Sequence, residues 1–122
     1  MTAIAVEDSQ IVGAITVWRP SVQDRYSIVE PMNVLPTHRG RGIGVRLWRF
    51  IEAHSSERGD RGLRVWGIDG NRGASHFYGS TLKLQPVGVG TFWIGQHREA
   101  ATEYRQDFAR DGETQRPFDA NP

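Results

Sequence analysis

The sequence predicts one α+β domain: a mixed sheet with helices, not a regular alternation of strands and helices. Three observations lead there. Three segments of strand character precede the first helical stretch, so the order is not βαβα. From Gly42 to about Ser56 the apolar period changes from two to nearly four. At 122 residues the chain is one domain's worth, with a modest core. No repeat or long linker divides it.

The elements follow in order. TAIAVE (residues 2–7) and IVGAITVW (11–18) read as strands. Asp8-Ser9-Gln10 between them suggests a hairpin with a slightly long loop. Pro20 to Asp24 is a polar break. Residues 25–35, RYSIVEPMNVL, return to strand character around Pro31. Proline has no N–H to give a ladder, so an irregular strand with an edge or bulge is expected. In the next segment Ile43, Leu47, Phe50, Ile51 and His54 fall on one helix face. Arg58-Gly-Asp-Arg-Gly62 ends that helix, and LRVWGI (63–68) is a strand. Asp69-Gly70-Asn71 is a turn able to cap a short helix over 72–80, where Ala74, Phe77 and Tyr78 have near-helical spacing. Leu82–Val89 and Thr91–Gly95 read as a pair of strands around Gly88 and Gly90. Ala101, Tyr104 and Phe108 predict an amphipathic closing helix over 98–110. The expected domain is 1–112, with a polar tail over 113–122.

Composition narrows the function. Apolar residues at 38% and charged residues at 24% describe an ordinary globular chain, not a disordered one. No apolar run approaches the ~18 residues that cross a bilayer. MTAIAVEDSQ has no basic start and is not read as a signal peptide, so a cytoplasmic address is expected. With no cysteine there is no disulfide, thiolate nucleophile or cysteine metal site. His38, His54, His76 and His97 form no metal-ligand spacing, so no metal is expected. The net charge of +1 is weak for a nucleic-acid partner. Its distribution says more. Arg39, Arg41, Arg46 and Arg49 lie between Pro36 and Ile51 with no acid among them.

That basic segment contains HRGRGIG, residues 38–44, between a strand and a helix. A helix start presents unpaired N–H groups and partial positive charge. Glycines let a ligand approach the backbone closely. The combination suits an anion, above all a phosphate. The commonest nucleotide loops do not fit. Ile43-Gly44-Val45 stands where a Walker loop needs Gly-Lys-Ser/Thr. G-x-G-x-x-G fails from Gly40, where the sixth place is Val45, and from Gly42, where it is Leu47. What fits is Arg39-x-x-Gly42-x-Gly44, after Val34-x-Pro36.

VLPTHRGRGIGVRLWRFIEAH resembles motif A of the GNAT acetyltransferase superfamily, whose signature is Gln/Arg-x-x-Gly-x-Gly/Ala. Asn71, Ala74, Phe77 and Tyr78 in NRGASHFYGS resemble its second motif, N-x-x-A-x-x-F-Y. The likeness spans roughly residues 2 to 95. It implies a mostly antiparallel mixed sheet whose two parallel central strands, about 26–35 and 63–68, splay into a V that holds acetyl-CoA. Met32, Asn33 and Val34 would offer backbone groups to the pantetheine arm and acetyl carbonyl. The N–H groups of Arg39, Gly40, Arg41, Gly42, Ile43 and Gly44 would hold the pyrophosphate, with Arg46 near a CoA phosphate. Asn71 would touch the pantetheine arm. Tyr78 would protonate the leaving thiolate, and Glu30 is the candidate base. The activity implied is direct acetyl transfer to an amine, with no covalent enzyme intermediate. A CoA-binding sensor or assembly subunit without catalysis is the alternative.

The likeness has two departures. Family members usually carry a strand and two helices before the hairpin, which here begins at residue 2. The acceptor half of the site is therefore expected to be open. A homodimer or other partner chain, the closing helix 98–110, or a large substrate could complete it. The family's Leu-Gly-Phe after the tyrosine is replaced by Ser80-Thr81-Leu82-Lys83-Leu84.

Overall fold

The fold is described for residues 1–109 in a computed structural model. Its strands are β1 (Thr2–Glu7), β2 (Gln10–Trp18), β3 (Tyr26–Val34), β4 (Gly62–Ile68), β5 (Gln85–Ile94) and β6 (His97–Asp107). They form one sheet in the order β1-β2-β3-β4-β6-β5. β3 and β4 run parallel, and every other neighbouring pair is antiparallel. The helices are α1 (Ile43–Glu57) and α2 (Arg72–His76). The result is the mixed, mostly antiparallel α+β sheet that the sequence predicts.

The first hairpin is tighter than expected. Asp8 and Ser9 alone join the strands, with φ of 51° and 64°. Two left-handed residues make the turn whose twist matches a hairpin. β3 carries the irregularity that Pro31 requires. Val17 pairs with Val29 and Ile15 with Met32, so Glu30 and Pro31 together stand opposite Thr16. Two residues against one is a bulge.

α1 buries Ile43, Leu47, Trp48 and Ile51 against the sheet. Gly13 permits this approach. A Cβ there would lie 3.1 Å from Leu47 and 3.3 Å from Ile43. The helix stops in a Schellman motif: Gly59 has φ 92° and donates to Ser56 O, and Asp60 N donates to Ser55 O. Ile15, Val17, Val29, Leu63 and Val65 join α1, Tyr78 and Tyr104 in the core. Trp48 on α1 meets Tyr78 with ring centroids 6.3 Å apart, so the segment after α2 lies on the α1 face of the sheet. On the other face Ile4, Val6, Ile11 and Trp18 are exposed.

The C-terminal third differs from expectation. Residues 98–107 are strand, not helix: β6 sits between β4 and β5 and pairs with both. Glu99-Ala-Ala-Thr-Glu103 favours a helix locally, but two ladders override that propensity. Residue 110 and the tail over 113–122 lie outside the described residues. The two short strands expected over 82–95 are one strand, β5. Its glycines do not turn the chain. A shift of register falls between Pro86 and Gly88, and a Cβ on Gly90 would lie 3.2 Å from the Trp66 ring.

Candidate active site

β3 and β4 pair only where they begin, through Tyr26–Gly62, Ser27–Leu63 and Ile28–Arg64. Beyond that point β3 follows β2 and β4 follows β6. The parallel strands part into a V that opens toward their C-terminal ends.

Backbone parity decides what faces the gap. Leu35 N donates to Val12 O at 2.8 Å, a bond to the β2 side. Antiparallel ladders alternate, so Asn33 also turns its N–H and C=O to β2. Met32 and Val34 turn theirs the other way, into the V. Arg39 Nε reaches Val34 O on that side, at 3.1 Å. Of the three residues expected to offer backbone groups, Met32 and Val34 therefore can, and Asn33 is held by β2.

The glycine stretch stands at the mouth. After a single 3-10 turn, Pro36–His38, the chain passes Gly40 (φ 78°) and Gly42 (φ 80°) into α1. A Cβ on either glycine would meet nothing within 4 Å, so the space above them is open. Arg39 N is taken by Pro36 O. The N–H groups from Gly40 to Val45 have no acceptor among the described residues. Glu7 of β1 braces the loop, 3.0 Å from His38 Nε2 and 3.4 Å from Arg41. Arg46 turns elsewhere, lining a groove beside β1 with Phe50 and His54.

Asn71 caps α2: its Oδ1 accepts from Ala74 N at 3.0 Å. After α2 the turn widens to a π-type turn over Phe77–Thr81, closed by Leu82 N on Phe77 O. Leu84 N then bonds Tyr78 O, and Lys83 takes φ 57°. This left-handed residue falls within Ser80-Thr81-Leu82-Lys83-Leu84, the segment that departs from the resembled motif.

The π turn seats Tyr78 over Gly67 of β4, where a Cβ would lie 3.2 Å from its ring. Its ring is buried among Trp48, Phe77 and Tyr104. Burial pushes the Tyr78 phenol above its ordinary pKa. The hydroxyl has no partner among the described residues. Met32 and Phe77 converge on Gly44, where a Cβ would lie 3.1 Å and 3.2 Å from them. Gly67 and this joint escaped the sequence reading. Their one signal is a glycine inside a strand or helix, which marks close approach.

Glu30 is exposed, in the bulge opposite Thr16. Met32 and Val29 pair with the core residues Ile15 and Val17, so Glu30 lies on the face away from α1 and Tyr78. A proton donor and a carboxylate thus lie on opposite faces of the sheet, beside one gap.

The closed end of the V is tied by charge. Asp60, with no exposed side-chain surface, accepts from Arg19, from Arg58 at 2.9 Å and from Ser27 Oγ at 2.6 Å. Desolvation opposes its charge, but the bonds from Arg58, Ser27 and Arg19 outweigh it and hold the pKa at about 2. Among the described residues no group of His, Asp or Glu could hold a metal ion, and no helix is long and apolar enough to cross a membrane.

A sequence model of the Acetyltransferase (GNAT) family matches residues 1–82. The chain belongs to this family. No curated relative matches at the sequence level. Solved structures of GNAT acetyltransferases share its fold. The acetyl coenzyme A complex of an acetyltransferase from Bacillus anthracis str. Ames matches with TM-score 0.75 and 22% identity, over 88% of this chain and 61% of that one. Ribosomal-protein-alanine N-acetyltransferase from Brucella melitensis gives TM-score 0.74 and 18% identity, over 88% and 68%. The ribosomal-protein-S18-alanine N-acetyltransferase from Escherichia coli gives 0.73 and 14%, over 93% and 74%. The GNAT chain described here spans less than two thirds of the length of the first of these.

Proposed function

We propose that this GNAT chain transfers an acetyl group from acetyl-CoA to an amine, either a small molecule or a protein or peptide. One observation carries the reading: a parallel strand pair opens into a V whose mouth is faced by unpaired amides at the start of α1. The amides of Gly40 to Val45 suit a pyrophosphate. The inward groups of Met32 and Val34 suit the pantetheine arm and the acetyl carbonyl as it gains negative charge. Asn71 would touch the arm through its amide nitrogen, which the cap leaves uncommitted.

The amine enters the V. Its nitrogen attacks the thioester carbonyl, a C–N bond forms and the C–S bond breaks. Glu30 takes the proton from nitrogen, and Tyr78 gives one to the departing sulfur. The Tyr78 phenol is protonated at neutral pH, as a proton donor must be, and burial, which raises its pKa, keeps it so while making it a weaker acid. The reading keeps the cytoplasmic address and the single domain over 1–112 expected from the sequence.

The test is thiol release from acetyl-CoA across a broad amine panel, with CoA affinity measured separately by calorimetry. Turnover with at least one amine is expected. Tight CoA binding with no turnover on any amine would replace this reading with a CoA-binding module that does not catalyse.

A further inference from the structure

We propose that Glu7 is a positioning residue for the pyrophosphate cradle: it holds the glycine loop ready for CoA, although its own charge has the wrong sign for that ligand. The inference rests on the CoA reading above. Two features leave the loop in need of a brace. Gly40 and Gly42 take φ of 78° and 80°, and glycine has the most backbone freedom to lose. After Arg39 N, which reaches Pro36 O at 3.4 Å, no amide of the loop is bonded until Arg46 N meets Gly42 O.

Side chains therefore hold the loop, one set on each flank. Toward the V, Arg39 Nε donates to Val34 O at 3.1 Å. Toward β1, a single carboxylate oxygen of Glu7 serves two loop residues. It lies 3.0 Å from His38 Nε2 and accepts from Arg41 Nη1 at 3.4 Å. The other ring nitrogen of His38 lies 2.9 Å from Thr37 Oγ1. The His38 side chain is only 16% exposed, so solvent ions screen its contact with Glu7 less. Glu7 is itself fixed. It ends β1 and pairs with Gln10 across the tight turn of Asp8 and Ser9. The carboxylate thus ties a loop without backbone bonds of its own to the sheet.

A carboxylate beside an anion site also repels the anion, and losing it would free Arg41 for the phosphate. Ordering outweighs this. Fixing one loose residue at the moment of binding costs roughly tenfold in affinity. The Arg41 side chain is 56% exposed. A phosphate contact from so exposed a cation returns about fivefold at most. The charges of Arg41 and Glu7 are close together and largely cancel farther out.

Calorimetry with CoA on the whole chain, beside a melting curve, tests this. Glu7→Ala removes an exposed side chain, and its CoA affinity should fall by about fivefold. Glu7→Gln keeps an oxygen for Arg41 and should lose less. His38→Ala cuts the same tie from the loop, so the double variant should fall no further than the weaker single. In amide NMR the heteronuclear NOE of Gly40 and Gly42 should drop in Glu7→Ala before any ligand is added. Equal or higher CoA affinity in Glu7→Ala overturns the inference and leaves Glu7 as a source of repulsion alone. Additive losses in the double variant overturn it too. An unaltered chain that binds no CoA overturns the functional reading, and this inference with it.

Discussion

Tyr78 combines two demands that usually conflict. Its ring is core, packed on Gly67 and three aromatics, yet its hydroxyl has no partner among the described residues. Tyr78→Phe keeps the packing and removes the proton. We expect kcat to fall by about a hundredfold or more with CoA affinity unchanged, the signature of a lost general acid. Equal losses in both would assign the hydroxyl to binding instead. Lys83 offers a cleaner stability test. It is exposed and sits at φ 57°, where a side chain is strained. Lys83→Gly should stabilise the fold by about 0.5–1 kcal/mol, read as a higher melting temperature.

The element that does most at the site is the entry to α1. A methyl on Gly42 would meet no protein atom, so Gly42→Ala costs only left-handed strain, about 1 kcal/mol. The same methyl would project into the open space at the loop whose amides are free. CoA affinity should therefore fall by at least tenfold while the variant remains folded, which calorimetry beside a melting curve would show. This element was legible because its signals are local: a change of period, a glycine before the first turn, and basic residues without acids. β6 was not legible. Its residues Ala101 and Tyr104 are buried three apart, a spacing that suits one face of a helix, whereas in the strand they lie on opposite faces of the sheet. What makes them strand is pairing with β4, more than thirty residues earlier, and no local signal carries that. The same lack of local signal left the single strand β5 divided at its glycines.

Across the whole molecule, the V has a locked end and an open end. The lock is Asp60 with Arg19, Arg58 and Ser27, joining the chain before β3 to the end of α1. Its folded pKa of about 2 lies below the ordinary carboxylate value. Its contribution is complete above about pH 4 and is lost as pH falls toward 2. Asp60→Asn should cost about 2–3 kcal/mol at neutral pH and flatten the fall of melting temperature between those values. An unchanged acid slope would show that other carboxylates govern it. None of this was readable beforehand, because the four partners come from three separate places in the chain: Arg19, Ser27, and Arg58 with Asp60.

The bulge at Glu30 and Pro31 settles a matter of phase. Strands count by twos, and one surplus residue shifts everything after it by one step. Had β3 run through Glu30 and Pro31 without the bulge, odd and even would exchange from Met32 onward. Asn33 would then turn its amide into the V, and Met32 and Val34 would turn theirs to β2. The surplus residue is what aims the amides of Met32 and Val34 into the V rather than at β2.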